Sequence, residues 1–455
     1  MPQPEFPTLS LFSGALGLDL GLMRAGFQVR VAVESNRFAA ETIRHNQALI
    51  RTVQGREIAL IRRSIEAVTT DELLDVAGLR AGEPVLVTAG PCCQAFSTAG
   101  QRESMGDPRG SLFRQFLRVV REAQPRFFVM ENVRGVLSAA IQHRPLNRRG
   151  PGFPPLEPAE QLGSAFALIL RELRSTGYHC TFDLLNAADY GVPQTRERLV
   201  FIGSRDGEPV EMPVATHSAA TTVGRHPWIS VRQSLRSMPA RKPEFTSLSP
   251  GKLRIISKVP SGGNWRDLPT RIARRALGGA FDSWGGRSGF FRRLDWDKPA
   301  PALTTRPDSK ATMLCHPAQL RPLSVQEYAH LQQFPIDWRF AGGTPQKYGQ
   351  IGNAVPVGLG AAIGISIRKT MRSRAKLRGG GTILCRNSNL LDHYAARPTT
   401  VLNPPRMRRL KGQHHLSKWF GQRQRTRASI LRLVDREPQD RVARRRRRPH
   451  KLSRG

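Results

Sequence analysis

The chain has 455 residues, enough for two or three domains with a large hydrophobic core. It carries 71 Lys and Arg against 35 Asp and Glu, a formal net charge of +36, which argues against an acidic cytosolic protein and favours a polyanionic partner. Residues 371–455 hold 24 basic and 4 acidic residues, a net charge of +20, which leaves +16 for residues 1–370.

The five cysteines show no Cys-X-X-Cys spacing, so the sequence predicts neither a disulfide framework nor a zinc site and fits a reducing cytoplasm. The N-terminus lacks a basic region followed by an apolar run, so no signal peptide is predicted. The most apolar stretch, 355–367, has 13 residues and is too short to cross a bilayer. We therefore expect a cytoplasmic protein without a metal site or a membrane segment.

The first 200 residues alternate short apolar runs with amphipathic helical patterns. This alternation predicts an α/β fold with a doubly wound, mostly parallel sheet. In such a sheet, ligands bind beyond the carboxyl ends of the strands. The predicted strands are 8–12, 29–34, 85–89, 126–130 and 199–203, and the predicted helices are 17–25, 38–46 and 111–123.

Later segments differ in composition. Residues 141–163 are rich in Pro, Gly and Arg and predict a long surface loop, and 205–310 lacks long amphipathic patterns, which predicts a second, smaller, irregular domain. A helix is predicted after Ser324, which forms a capping box with Glu327, and a last apolar helix is expected over 357–368.

The basic segment 371–455 has little apolar periodicity, so we expect it to be largely disordered. A GC-rich reading frame extended past an ancestral stop would give the same composition without any function. Composition does not decide between these two interpretations.

A glycine-containing turn follows the first predicted strand, in the sequence Leu-Phe-Ser-Gly-Ala-Leu-Gly that ends at Gly17, and Glu34 closes the second strand 20 residues after Gly14. Such a turn lets a ligand approach the backbone, and the carboxylate can accept hydrogen bonds from ribose hydroxyls. Leu16 and Asp19 occupy the second and third glycine positions of a Gly-X-Gly-X-X-Gly pattern, which favours a nucleoside cofactor without a pyrophosphate. A plain turn would show the same glycines.

Two further motifs follow predicted strands. Cys92 and Cys93 stand in Gly-Pro-Cys-Cys-Gln-Ala-Phe-Ser, whose flanking residues argue against the alternative of small buried core cysteines. A catalytic thiol needs its ordinary pKa of about 8.5 lowered by positive charge or a helix N-terminus. Glu131, in Glu-Asn-Val, can hold a proton for a ring nitrogen when it is partly desolvated, although a single Glu at a strand end is more often structural.

Two motifs lie further along the chain. Arg196 and Arg198, in Gln-Thr-Arg-Glu-Arg, should face one side of an extended segment and suit a phosphate or a base carbonyl, with a solvated edge as the alternative. The sequence from Tyr348 to Pro356 carries the Asn353 amide into a turn before a helix, or is only a connector.

Taken in order, these motifs resemble the DNA (cytosine-5)-methyltransferase family: FSGxxG, an acidic residue, PCQxFS, ENV, QxRxR, a variable region and GNAVP. The resemblance covers about residues 8–370 and includes the stretch from Arg321 to Pro335. It implies a bacterial-type modification enzyme of a restriction–modification system. Such an enzyme uses S-adenosylmethionine to methylate C5 of a cytosine flipped out of double-stranded DNA.

The resemblance also implies roles for individual residues and segments. Cys93, directly before Gln94, matches the nucleophile that adds to C6, Glu131 matches the acid that contacts N3, and Arg196 and Arg198 match the pair that holds the base and its phosphate. The implied cofactor contacts are Phe12, Ser13, Gly14, Gly17, Glu34, Asn353, Ala354 and Val355. The implied division is a catalytic and cofactor-binding domain (1–204), a target-recognition domain (205–310), a return to the catalytic domain (311–370) and the basic tail (371–455).

Three residues depart from the family pattern: Cys92 replaces a proline, Leu16 replaces a glycine of the cofactor turn, and Ser64 replaces an Asp that contacts the adenine amine. None of these departures removes a group that the chemistry requires. Two alternatives stay open, a relative that methylates tRNA and a catalytically silent DNA-binding relative, although Cys93, Glu131 and the two arginines argue against the latter. We expect a monomer associated with the nucleoid through DNA, and the target sequence is not legible from 205–310.

Overall fold

The computed structural model describes residues 5–90, 108–145, 148–150, 152–282, 289–373 and 380–387. Its strands are β1 (Pro7–Leu11), β2 (Gln28–Val33), β3 (Ala59–Ile61), β4 (Leu86–Ala89), β5 (Phe127–Val133), β6 (His179–Asn186), β7 (Gln194–Thr195), β8 (Glu197–Ser204), β9 (His217–Ser218), β10 (His226–Pro227), β11 (Ala300–Pro301) and β12 (Ile383–Cys385).

Helices connect most of these strands. They are α1 (Gly17–Arg24), α2 (Arg37–His45), α3 (Gln47–Gln54), α4 (Thr70–Ala77), α5 (Pro108–Ala123), α6 (Ser164–Arg174), α7 (Val231–Arg236), α8 (Pro250–Ile256), α9 (Thr270–Leu277), α10 (Val325–Leu331), α11 (Thr344–Asn353) and α12 (Val357–Met371).

Eight strands form the central sheet, in the order β12-β6-β8-β5-β4-β1-β2-β3. All are parallel to their neighbours except β8, which runs antiparallel to both β5 and β6. From β1 the chain first builds outward through β2 and β3 and then returns to place β4 on the other side of β1. This reversal creates a crevice at the carboxyl ends of β1 and β4, the usual ligand site of a doubly wound sheet.

The predicted α/β fold with a mostly parallel sheet is confirmed, and the eight strands and helices predicted in the first 204 residues lie within three residues of their predicted bounds. One boundary changes the description of the site. β5 continues to Val133 because β8 pairs with it as far as Arg198. Glu131 therefore lies inside β5, whereas the sequence predicts it directly after the strand. The sequence did not predict β3, β6 or β12.

Two predictions beyond the sheet's first half also hold. The Ser324 hydroxyl accepts a hydrogen bond from the Glu327 amide at 3.2 Å, and the Glu327 carboxylate accepts one from the Ser324 amide at 2.7 Å, so the capping box is present. The last apolar helix, α12, packs Leu359, Ile363 and Ile367 against the sheet. It also lies so close to α1 that a Cβ on Gly360 would clash with backbone of α1.

Within the described residues, the segment Thr344–Met371, which contains α11 and α12, is long and apolar enough to cross a membrane. Inside the protein, however, 67% of its most apolar window is buried. Burial of this extent is typical of a core helix.

Apolar residues between 205 and 315 divide into two groups. A separate apolar cluster, which contains Ile256, Phe291 and Met313, is built entirely from residues between 248 and 315. Leu294 and Leu303, in contrast, pack beside the sheet against α1. The predicted boundaries at 205 and 310 stay a prediction.

Part of the predicted disordered tail forms a β-strand. β12, which was expected to belong to the disordered segment, pairs in parallel with Cys180, Thr181 and Phe182 of β6 and forms one edge of the central sheet. The ladder is possible because Ile383 is buried against the core while Leu384 points outward, the alternation of a half-buried edge strand. Residues 388–455 lie outside the described part of the chain.

Candidate active site

A cavity of about 650 Å³ opens at the carboxyl ends of β1, β2, β4 and β5, where the strand order reverses. It brings together ten of the eleven predicted site residues that the structure describes, the exception being Arg196. The ten are Phe12, Ser13, Gly14, Gly17, Glu34, Glu131, Arg198, Asn353, Ala354 and Val355.

The turn between β1 and α1 forms one wall. Phe12, Gly14 and Leu16 all have left-handed backbone conformations, with φ of 55°, 54° and 66°. A Cβ on Gly17 would clash with the carbonyl oxygen of Val355, so this glycine lets α1 approach the segment that leads into α12. The glycines of the turn therefore shape the wall, and Leu16 accepts a conformation that favours glycine.

Glu34 follows β2 and is fixed by backbone donors. Its Oε2 accepts a hydrogen bond from the Gly14 amide at 2.7 Å and its Oε1 accepts one from the Asn36 amide at 2.6 Å. Burial raises the pKa of this carboxyl group, and the backbone hydrogen bonds oppose the rise. The two oxygens keep further lone pairs with which they can accept hydrogen bonds from ligand hydroxyls.

Ser64, the residue that departs from the family's Asp, lines the cavity beside Arg63, Ile65 and Glu66. Its hydroxyl donates to the Glu66 carboxylate at 3.4 Å. A hydroxyl and a neighbouring carboxylate thus occupy the edge at which the family pattern places a single carboxylate.

Glu131 and Arg198 form a buried ion pair across neighbouring strands. Glu131 is 8% exposed, and the Arg198 Nε contacts its Oε1. Burial raises the pKa of Glu131, while the positive charges of Arg198 and then Arg196 oppose the rise. A carboxyl group in this setting holds a proton more readily than an ordinary Glu and can donate it to a ligand in the cavity.

Arg196, the other arginine of the predicted pair, is not among the residues that line the cavity, and its contact with a target nucleotide stays a prediction. It is 3% exposed, and its guanidinium donates to the carbonyl oxygens of Leu303 at 2.9 Å and Gly352 at 2.7 Å. These contacts join the loop after β11 to the end of α11, directly before Asn353. In this structure Arg196 therefore positions the cavity wall.

Two buried amides, which sequence reasoning missed, reinforce the same junction. The Gln194 side chain donates to the Gln332 Oε1 at 3.0 Å and accepts from the Leu303 amide at 2.9 Å. Gln332 in turn donates to the carbonyl oxygens of Ile351 at 2.6 Å and Ala354 at 3.2 Å. Gln194 begins the motif Gln-Thr-Arg-Glu-Arg, and Gln332 lies in the stretch from Arg321 to Pro335 that resembles the family. Their presence in these motifs is the one sequence signal that could have pointed to them.

Cys92 and Cys93 lie outside the described residues. The described chain reaches Gly90, which lines the cavity beside Glu131. The described thiols of Cys180 and Cys315 are buried, and burial raises the pKa of both, to about 12 for Cys315. Neither has the lowered pKa that a nucleophile requires.

Asp19 is a further cavity residue that sequence reasoning did not assign. It is 2% exposed in the first turn of α1. The sequence signal that could have identified it is an acidic residue in a segment whose other residues up to Met23 are all Gly, Leu or Met. All residues of this segment are buried in the structure.

A doubly wound sheet with a ligand cavity at its switch point defines a fold of the Rossmann-like class. The family model for C-5 cytosine-specific DNA methylases matches residues 6–369, and the chain belongs to this family. It is therefore an enzyme of the DNA (cytosine-5-)-methyltransferase type.

Its relatives include Type II methyltransferases. The chain is 34% identical over 363 residues to Type II methyltransferase M.Sau96I of Staphylococcus aureus, covering 80% of this chain and 76% of the relative. It is 35% identical over 386 residues to M.PspPI of Psychrobacter sp. (strain TA137), covering 82% of each.

Solved structures share the fold. A putative DNA modification methyltransferase encoded within an E. coli prophage superposes with a TM-score of 0.53 at 22% identity, covering 81% of this chain and all of that one. A mutant of Spodoptera frugiperda DNMT2 gives a TM-score of 0.51 at 15% identity, covering 81% of this chain and 99% of that one.

Proposed function

We propose that the chain methylates C5 of cytosine within a specific double-stranded DNA sequence, with S-adenosylmethionine as methyl donor, as the modification enzyme of a restriction–modification system. The observation that carries the proposal is the single cavity that joins the glycine turn and Glu34 to the Glu131–Arg198 pair. A cofactor and a reacting base need such a shared space. We further propose that the enzyme acts as a monomer in the cytoplasm and associates with the nucleoid through DNA.

The cavity suits the cofactor in size and in charge. Its 650 Å³ falls within the range of about 300–1,000 Å³ that is usual for small-molecule sites. Among the described residues, four carboxylates and two guanidiniums line it, in a chain whose net charge is +36. The net negative charge of this described lining favours a cationic ligand over a phosphate. The residues that would hold the cofactor are Phe12, Ser13, Gly14, Gly17, Glu34, Asn353, Ala354 and Val355. When bound, S-adenosylmethionine supplies an electrophilic methyl group.

Two side chains act directly on the cytosine, one as nucleophile and one as proton donor. The Cys93 thiolate forms a bond to C6 of the cytosine, Glu131 donates a proton at N3, and C5 gains the electron density needed to attack the methyl group. The C5 proton then passes to solvent, the sulfur–C6 bond breaks to release the Cys93 thiolate, and N3 returns its proton to Glu131, which leaves the methylated base and the starting form of the enzyme. Arg198 holds Glu131 in place and faces the same cavity.

We assign target recognition to the region 205–310, which supplies most of the separate apolar cluster that extends to Cys315. The region carries 19 basic and 9 acidic residues, a net charge of +10, and its guanidiniums suit phosphate oxygens. Such contacts would offset the few kcal/mol needed to flip a base out of the duplex.

A covalent trap tests the proposal. Full-length protein is incubated with S-adenosylmethionine and duplex DNA that contains 5-fluorocytosine, since fluorine at C5 cannot leave as the proton does and the sulfur–C6 bond then persists. We expect a covalent protein–DNA adduct with the wild type, none with Cys93→Ser, and slower adduct formation with Glu131→Gln.

Parallel reactions with labelled methyl donor compare natural duplex DNA with tRNA. Methylation of tRNA alone would replace the proposal with the tRNA alternative. Absence of methylation of both would favour a catalytically silent relative.

A further inference from the structure

The Asp19 carboxylate lies at the floor of the cavity, between the ends of β1 and β4. It is 2% exposed and lines the cavity together with Ser10 and Thr88. The Thr88 hydroxyl donates to its Oδ1 at 3.4 Å, and the Ser10 hydroxyl is also a hydrogen-bond partner. Both partners are uncharged.

The other three carboxylates of the cavity have stronger compensation or greater access to water. Glu131 pairs with Arg198, Glu34 accepts two short backbone hydrogen bonds, and Glu66 is exposed at the outer edge. Among the described residues, no Lys, Arg or His forms an ion pair with Asp19 or contributes to its electrostatic surroundings. A buried carboxylate without a cation is unfavourable unless a ligand provides one.

The position of Asp19 indicates which part of a ligand it faces. Glu34 and Ser64 lie on the side of the cavity that β2 and β3 form, whereas Asp19 lies next to Thr88 of β4. β4 leads through Gly90 toward the cysteine motif, and Glu131 lies on the neighbouring strand β5. A cofactor whose ribose lies at Glu34 would therefore extend its opposite end toward Asp19.

We propose that Asp19 provides the counter-charge for the cationic amino-acid end of the methyl donor, which carries a sulfonium and an α-ammonium group. This inference rests on the proposed cofactor. Burial raises the pKa of Asp19 to about 6, so the carboxylate is ionised at neutral pH and above, as a counter-ion must be. Asp19 lies outside the motifs on which the family resemblance rests. In the sequence it stands only where a Gly-X-Gly-X-X-Gly pattern would have its third glycine.

Calorimetric titrations at pH 8 with the full-length protein test the assignment. The proteins are wild type, Asp19→Asn and the control Asp71→Asn, which removes an exposed carboxylate from the first turn of α4. The ligands are S-adenosylmethionine, S-adenosylhomocysteine, which lacks the sulfonium charge, and 5′-methylthioadenosine, which lacks both cations. We expect Asp19→Asn to weaken S-adenosylmethionine binding by about ten- to one-hundredfold, as for loss of a charged hydrogen-bond partner, and to leave 5′-methylthioadenosine unchanged.

S-adenosylhomocysteine identifies the cation. An equal loss for this ligand assigns Asp19 to the α-ammonium group, and a much smaller loss assigns it to the sulfonium; both outcomes support the proposal. Equal weakening of all three ligands would overturn it, because the effect would then be structural, and so would an unchanged affinity for S-adenosylmethionine or an equal loss in Asp71→Asn. If the wild type binds none of the three ligands, the proposed cofactor itself is wrong and the inference falls with it.

Discussion

The Asp19→Asn variant should be more stable than the wild type at pH 8 when no cofactor is bound. Burial raises the pKa of Asp19 from 3.8 to about 6, so the folded state binds this proton more tightly than the unfolded state. The resulting destabilisation is absent below pH 3.8, grows as the pH rises, and is complete above about pH 6. Two pKa units correspond to about 3 kcal/mol, which an amide would not incur because it cannot ionise.

The side-chain amide of the Asp19→Asn variant can keep the hydrogen bonds that the carboxylate makes with Thr88 and Ser10. Its oxygen can accept from Thr88 as the carboxylate does, and its NH2 group can donate to the Ser10 hydroxyl, which is an acceptor as well as a donor. We therefore expect the free energy of unfolding of Asp19→Asn to exceed that of the wild type by up to about 3 kcal/mol at pH 8, and by about half of that at pH 5.

Urea unfolding of the cofactor-free protein, followed by tryptophan fluorescence at both pH values, measures this difference. Asp71→Asn serves as control: because its carboxylate is exposed at a helix N-terminus, its loss should lower stability by about 0.3–1 kcal/mol without a large change between the two pH values. A lower stability of Asp19→Asn at pH 8 would refute the reasoning, since the carboxylate would then be part of the folding energetics and not a charge held for a ligand.

Three further predictions concern the turn, the cysteines and the basic segment. Leu16→Gly should be about 1 kcal/mol more stable than Leu16→Ala in urea unfolding, because of the left-handed backbone at this position. At Leu20, in the helix interior, the same comparison should favour Ala by about 1 kcal/mol, and an equal order at both sites would contradict the argument. Cys93→Ser should abolish methyl transfer while DNA binding in gel-shift assays persists, and Cys92→Ser should stay active; the reverse result would identify Cys92 as the nucleophile. Removal of residues 388–455, which carry 19 basic and 4 acidic residues and thus a net charge of +15, should leave the methylated sequence unchanged. It should also reduce the slope of log affinity against log salt by about 0.9 for each phosphate that the segment neutralises in the full-length protein, and an unchanged slope would show that the segment does not bind DNA.

Local patterns were sufficient for much of the fold. The five predicted strands are apolar runs bounded by Gly, Pro or charged residues, and the helix after Ser324 carries its capping box in four residues. The missed strands lack such signals. β3 has only three residues, and β6 includes His179, Thr181 and Asp183, which become buried only in the folded sheet, where β8 and β12 flank both edges of β6. β12 lies in a basic context and becomes a strand through its pairing with β6.

The same distinction applies to the site. Motif order led to ten of the residues that line the cavity, because those motifs follow strands that end at one edge of the sheet. The role of Arg196 could not be read in this way, since its partners, Leu303 and Gly352, are more than 100 residues away in sequence. The Gln194–Gln332 contact is likewise set by tertiary packing, and no spacing rule pairs two amides across that distance.

The charges of the chain suggest how the enzyme keeps its two ligands apart. A protein with a net charge of +36 attracts polyanions over much of its surface, and a cofactor cavity of the same sign would bind phosphates as well. Carboxylates at Asp19 and Glu34 make the cavity unfavourable for a phosphate and favourable for a cation. Arg198 neutralises Glu131, the carboxylate that donates a proton to the base in the proposed mechanism. On this view the buried charge of Asp19 is kept at the expense of stability, because an apolar or amide floor would fold better but would not select a cationic cofactor.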